Sequence, residues 1–228
     1  MSIHAQNGTN KVMVLPKEVQ QKTKWLNDKF LLFTPEGNSK ENKSPLIIFL
    51  HGMGERGENI KAVMKHGPPK IAEQQKDFPF IVVSPQCLKD KNGKGWWHSA
   101  DLNELLEYVK KTYHVDESRI YLTGLSMGGF GTWKWAAENP DEFAAIVPIC
   151  GGGNPKDAAK YGSLPIWAFH GDADKTVKID FSQRMVDAIK SAKGNVKFTI
   201  YPGVGHNSWK RTYANPELYQ WLLSHVKK

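Results

Sequence analysis

Residues 121–129 read Tyr121-Leu122-Thr123-Gly124-Leu125-Ser126-Met127-Gly128-Gly129, an apolar run that enters the pattern G-x-S-x-G and leaves it in a helix-forming stretch. A chain that passes from strand to helix in so few residues turns sharply, and the residue at the apex is lifted clear of both elements. Side chains at the flanking positions Gly124 and Gly128 would collide with neighbouring backbone, which accounts for the glycines. A helix starting after Ser126 sets free N–H groups and the positive end of its dipole beside the hydroxyl, where developing negative charge is stabilised. A glycine-rich turn with an incidental serine is the competing reading, so the serine has to be weighed against the partners it would need.

Outward from this turn the chain alternates. Strand-like apolar runs at 46–50, 80–84, 120–123, 145–149, 166–169 and 196–201 are separated by helical patterns, which predicts a mostly parallel central sheet with helices on both faces. Leu102, Leu105, Leu106, Val109 and Tyr113 recur at three-to-four spacing behind Asp101 and Glu104, a pair suited to an N-terminal cap. Phe181, Met185, Ile189 and Ala192 repeat the period, residues 127–138 form a helix stopped near Asn139-Pro140, and 217–226 form a C-terminal one. Strands near 11–15 and 30–33 are expected to make an antiparallel edge, and the polar stretch 34–45 a hairpin or surface loop. No insertion is long enough for a large cap. The expectation is one α/β domain over 1–228, with residues 1–10 disordered.

A serine hydroxyl attacks only when a base takes its proton, and on a sheet of this kind the acid and the histidine follow the serine in chain order. His206 fills the last slot, in the loop Pro202-Gly203-Val204-Gly205-His206 after the strand 197–201. Between them, His170-Gly171-Asp172-Ala173-Asp174 follows another strand and offers two carboxylates, of which Asp172 is the more natural stabiliser of its own turn. Ahead of the serine, the strand 46–50 ends in His51-Gly52-Met53-Gly54-Glu55-Arg56-Gly57, which also matches G-x-G-x-x-G. A dinucleotide site would want an acidic residue ending the next strand, but that strand ends in Ser84-Pro85 with Asp77 on the wrong side, so the match is fortuitous. His51 is expected to support this loop, and Glu55 and Arg56 to brace it through an ion pair or hydrogen bonds. Trp96 and Trp97 follow a polar loop at the same end of the sheet and are candidates for an aryl or sugar face, with core packing the alternative; Trp133 and Trp135 read as packing residues.

The 228 residues are 40% hydrophobic, 11% aromatic and 24% charged, an ordinary globular balance. No apolar run approaches the roughly 20 residues that span a bilayer, and the polar start shows no secretory signal, so a soluble protein is expected, cytoplasmic or the mature form of a secreted one. The formal charge of +8 comes from scattered lysines without a basic tract, which argues against a nucleic-acid partner. Two cysteines, Cys87 and Cys150, are too few for a disulfide framework and lack metal spacing; Cys150 competes as a nucleophile but closes an apolar run, where small buried thiols are common.

The stretches LHGMGERGEN, SPQC followed by WW, RIYLTGLSMGGFGTW, VPICGGG, HGDADKTV and YPGVGHNSW, spread over residues 46–213, resemble the α/β-hydrolase superfamily, in particular compact carboxylesterases of the dienelactone-hydrolase and feruloyl-esterase type. The frame H-G-x-x-D-x-x-V resembles the acid loop of many such proteins and implies Asp174 as the acid. The H-G-x-G loop implies the backbone N–H of Met53 as one oxyanion donor, with that of Met127 as the other. The resemblance implies ester hydrolysis through Ser126, His206 and Asp174 without metal or organic cofactor, on a small-molecule or saccharide-linked ester with a short acyl or hydroxycinnamoyl group. A peptidase or acyl-transferase with the same residues, and a binding protein without turnover, are the rivals.

Overall fold

Strict alternation along the central strands decides the layering. In β3 (Ser44–Leu50), Leu46, Ile48 and Leu50 enter one buried cluster while Ile47 and Phe49 enter another on the opposite face. The same division separates Ile81 and Val83 from Val82 in β4 (Ile81–Cys87), Ile120 and Leu122 from Tyr121 in β5 (Val115–Leu125), and Ile166 and Ala168 from Trp167 and Phe169 in β7 (Ile166–Gly171). Strands apolar on both faces need cover on both faces, which is why they read as continuous runs. The structure, a computed structural model, describes residues 9–75 and 77–227.

With β1 (Lys11–Val14), β2 (Leu26–Phe33), β6 (Ala145–Ile149) and β8 (Val196–Tyr201), these strands form one eight-stranded sheet in the order β1-β2-β4-β3-β5-β6-β7-β8. The β1–β2 and β2–β4 pairs are antiparallel and all others parallel, giving the expected antiparallel edge. One face is covered by α3 (Ser99–Thr112), α4 (Met127–Glu138) and α5 (Asp180–Ser191), whose apolar stripes include Leu105, Trp133 and Met185. The other carries Ala72 of α2 (Gly67–Gln74), Tyr213 of α6 (Trp209–Tyr213) and Leu218, Tyr219 and Leu222 of α7 (Pro216–Leu223). A four-residue helix, α1 (Lys17–Gln20), precedes β2.

Of the two alternatives for 34–45 the surface loop holds, and the cap expected of Asp101 does not. The stretch after β2 is not a hairpin, because β4 lies between β2 and β3; it crosses that strand, and β3 already begins at Ser44. Asp101 caps nothing in its own helix, whose N-cap is His98. Its Oδ2 accepts the backbone N–H groups of Lys24 and Trp25 at 3.1 and 2.6 Å and ties the loop before β2 to α3. The disorder expected for residues 1–10 falls, over 1–8, outside the described residues, whereas Asn10 donates from Nδ2 to the Pro69 carbonyl at 2.7 Å. No helix among the described residues is long and apolar enough to cross a membrane.

At the C-terminal edge of the sheet, His51 links β3 to β4: its Nε2 accepts the Cys87 N–H at 3.0 Å, and Nδ1 donates to the Gly52 carbonyl at 2.6 Å. Both ring nitrogens are thereby committed in the neutral tautomer, and burial drives the imidazole down to about 4. An imidazole in the unfolded chain takes up a proton near pH 6.5, while the folded one does not until about pH 4. Stability is therefore greatest above pH 6.5 and falls as pH drops through that window. From pH 7 to pH 5 the loss from this group is on the order of 2 kcal/mol, read as a falling urea midpoint whose slope is shallower in His51→Gln. Close packing at the serine turn makes a sharper demand. A Cβ on Gly128 would lie 1.9 Å from the Leu50 carbonyl oxygen and one on Gly124 2.3 Å from the Gly128 oxygen, backbone atoms that cannot step aside. Gly128→Ala should cost about 3 kcal/mol or more in thermal or chemical unfolding, at the upper end of overpacking penalties; an unchanged melting temperature would contradict this packing.

Candidate active site

β5 runs straight into α4 with Ser126 between them at φ 53° and ψ −116°, a conformation that non-glycine residues rarely adopt. Holding it costs about 1–3 kcal/mol, so the surroundings have to over-determine it. They do: the Ser126 N–H donates to the Ile149 carbonyl at the end of β6 at 3.0 Å, and its own carbonyl accepts from Phe130 at 3.0 Å as α4 begins. The hydroxyl points to the ring of His206, with Oγ 2.9 Å from Nε2.

His206 lies in the loop after β8 and Asp174 in the loop after β7, and the two loops are packed as one unit. A Cβ on Gly171 would come within 2.1 Å of the Val204 oxygen. The Ala173 N–H donates to Val204 at 3.1 Å, and Asp172 Oδ1 accepts the Gly203 N–H at 2.7 Å, so the Asp172 carboxylate braces the histidine's loop and not the turn it was expected to stabilise. Across this junction His206 Nδ1 meets Asp174 Oδ2 at 2.7 Å.

Asp174 is buried, which by itself would raise its pKa, yet the carboxyl is held below the usual range because donors surround it. His206 bonds to Oδ2, and Oδ1 accepts the N–H groups of Val177 and Thr176 at 3.0 and 2.9 Å. A fourth neighbour had no role in the sequence reading. His170 Nε2 lies 3.2 Å from Asp174 Oδ2 and 2.9 Å from the Val177 carbonyl, while Nδ1 contacts Ser182 Oγ at 2.8 Å. Burial lowers the His170 pKa, and in the neutral ring the proton belongs on Nε2, which faces two acceptors, while Nδ1 and the Gly151 carbonyl share the single Ser182 hydrogen. The sequence signal of His170 is its place as the first residue of the H-G-x-x-D-x-x-V frame.

An open cleft of about 440 Å³ reaches this group, lined by Gly52, Met53, Trp96, Phe130, Trp209 and the Ser126–Met127 turn. It lies at the carboxyl ends of the parallel strands, where ligands bind in such sheets. A wider hollow of about 770 Å³, lined by Ala144, Pro165 and Asn195, opens at their amino ends and away from these side chains. Met127 is the first residue of α4 and Met53 the first of a short 3-10 turn (Met53–Glu55); among the described residues neither N–H has a protein acceptor, and both flank Ser126 in the cleft. Arg56 holds the Met53 turn, donating from Nε to the Met53 carbonyl and from a terminal nitrogen to Gly95, each at 3.0 Å. Glu55 makes no ion pair with it. Its carboxyl is buried, which raises its pKa, and sits 3.9 Å from His66 Nε2.

The two adjacent tryptophans part company. Trp96 is 40% exposed on the cleft wall and packs against Phe130 at 6.0 Å, whereas Trp97 is buried, donates to the His51 carbonyl at 3.2 Å and packs on that ring. Trp97 therefore supports the loop and is out of reach of a ligand in the cleft. Trp209, unassigned from sequence, stands edge-on to His206 at 5.3 Å and forms part of the wall. Trp133 and Trp135 are buried packing residues.

One group among the described residues brings three metal-ligating side chains together, Cys150, Asp174 and His206, with ligand atoms within 4.8 Å of one another. It suits an ion poorly. Asp174 and His206 already satisfy each other, and burial pushes the Cys150 thiol up to about 12, away from the thiolate a metal requires. Cys87 is buried too, and both thiols are free.

Comparison with known proteins places the chain. A bifunctional acetylxylan esterase/xylanase of Neocallimastix patriciarum is 27% identical over 78% of this chain and 26% of its own length. The chain spans between 26% and 40% of the length of three curated relatives it matches. Among solved structures, a thermostable esterase is 31% identical with a TM-score of 0.74, over 87% of this chain and 59% of that one. The feruloyl esterase module from Clostridium thermocellum, solved with sinapinate, shares the fold at 18% identity and a TM-score of 0.66, over 94% of this chain and 87% of that one. Residues 71–217 match the dienelactone hydrolase family, and the chain belongs to that family, within the α/β-hydrolase superfamily.

Proposed function

We propose that the protein hydrolyses carboxylic esters through an acyl-enzyme on Ser126, with His206 as base and acid and Asp174 as the group that orients it. The observation that carries this reading is the single imidazole spanning two partners, 2.9 Å from the Ser126 oxygen and 2.7 Å from the Asp174 carboxylate. With Asp174 ionised, Nδ1 keeps its proton and Nε2 is free to take the one from Ser126 as the oxygen attacks the ester carbonyl. The oxyanion that forms lies between the unpaired N–H groups of Met53 and Met127, which need no reorientation to receive it. His206 then returns its proton to the leaving alkoxide, and a water deprotonated by the same nitrogen releases the acid.

The substrate is proposed as a small or saccharide-linked ester with a short acyl or hydroxycinnamoyl group. A cleft of about 440 Å³ with Met53, Trp96 and Phe130 on its walls offers apolar contact for such a group, and the similarity to an acetylxylan esterase points the same way.

Ser126→Ala should lower kcat for p-nitrophenyl acetate by several orders of magnitude at unchanged melting temperature, and a fluorophosphonate probe should label the parent protein and not the variant. Undiminished turnover would remove Ser126 from the reaction. Asp174→Asn should keep the fold and lose up to about 10⁴ in kcat, because the amide can donate to Nδ1 and favours the wrong tautomer; a loss of less than tenfold would assign the orienting role elsewhere.

A further inference from the structure

Next to the cleft at Ser126 lies a second hollow of about 300 Å³ that shares two of its walls, Trp96 and Phe130. It is bounded by α4 and by the 3-10 segment Pro155–Tyr161, with the Gly152–Gly153 backbone as a further wall. Its chemistry differs from that of the first cleft. The rim carries Lys134, Glu138, Asn154 and Asp157 around an aromatic side formed by Trp96 and Phe130.

Two of these polar groups have capacity to spare. Asn154 spends its carbonyl oxygen on the Lys156 N–H at 3.2 Å, and its amide donors have no acceptor among the described residues. Asp157 engages Lys160 through Oδ1 at 2.8 Å, with Oδ2 left over.

These features discriminate among ligands. A long acyl chain needs a continuous apolar lining, and the polar rim interrupts one. A simple ion would meet both Lys134 and Asp157, charges of opposite sign. A sugar ring has what the hollow complements: a flat C–H face for an indole, and hydroxyls around its edge for amide, carboxylate and ammonium groups. We propose that this hollow is a saccharide subsite, so that the alcohol portion of the ester is one unit of an oligosaccharide whose neighbouring unit packs on Trp96 and bonds to Asn154 and Asp157. The inference rests on the ester-hydrolase reading of Ser126.

The test compares kcat/KM for acetylated xylo-oligosaccharide, acetylated xylose and p-nitrophenyl acetate in the parent protein and in the double variant Asn154→Ala/Asp157→Ala, with melting temperatures as a check on folding. The parent should prefer the oligosaccharide to the monosaccharide acetate at least tenfold. In the double variant the ratio of oligosaccharide to p-nitrophenyl acetate turnover should fall at least tenfold, through KM. If the variant unfolds, the parent's preference and competitive inhibition by unesterified xylo-oligosaccharide, which should be observed, decide the matter. Equal kcat/KM for oligosaccharide and monosaccharide, or a ratio unmoved by the substitutions, would overturn the subsite while Ser126-dependent hydrolysis of p-nitrophenyl acetate stands. Failure on p-nitrophenyl acetate itself would instead overturn the reading beneath it.

Discussion

The sharp turn between β5 and α4 is the constraint on which the rest of the site depends. Ser126 is held at a positive φ that its own side chain disfavours, and it stays there because β6 fixes its N–H while the backbone of Leu50 and Gly128 fills the space on either side. The turn is therefore made by long-range packing as much as by its own residues. Central strands buried on both faces supply a frame rigid enough to sustain that strain, since a buried parallel strand cannot slip register without moving its apolar side chains to the wrong layer.

From the turn outward, position passes through backbone contacts. The loops after β7 and β8 approach so closely at Gly171 and Val204 that neither moves alone, so the separation of Asp174 and His206 is set by two neighbouring parallel strands. Asp174 is buried but not orphaned: two backbone N–H groups hold one oxygen and two histidines approach the other. That distribution keeps the charge on the carboxyl despite its burial. On the other side of Ser126, His51, Trp97 and Arg56 perform the same service for the Met53 turn without entering the cleft.

The layers and the serine turn were legible in sequence because both rest on local pattern: strand alternation, the glycines of the turn, and a histidine and aspartates each following its own strand. What local pattern could not supply was direction. Trp96 and Trp97 are adjacent in an irregular segment with no period to assign a face, and one is exposed where the other is buried. Asp101 carries every local mark of a helix cap and is instead recruited by a loop more than seventy residues earlier. His170 and Trp209 contact near neighbours in the chain, Asp174, Val177 and His206, but these lie in irregular loops where no period assigns a side chain's direction, and the hollow beyond Trp96 joins elements distant in sequence.

Cys150 shows how burial separates two potential nucleophiles that lie close together. Its sulfur is within 4.8 Å of the Asp174 and His206 ligand atoms, near the same imidazole that contacts Ser126. Yet the residue is fully buried at the end of β6, and with its thiol pushed up to about 12 almost no thiolate exists at neutral pH. Ser126 is only partly buried and lines the cleft that a substrate can enter. A hydroxyl needs its base at the moment of attack, whereas a thiol can react without one only where its anion is stabilised, and a desolvated pocket beside a carboxylate does the opposite. The β6 end therefore acts on Ser126 from behind, through the Ile149 carbonyl and the close-packed Cys150, and leaves His206 to a single partner in the cleft.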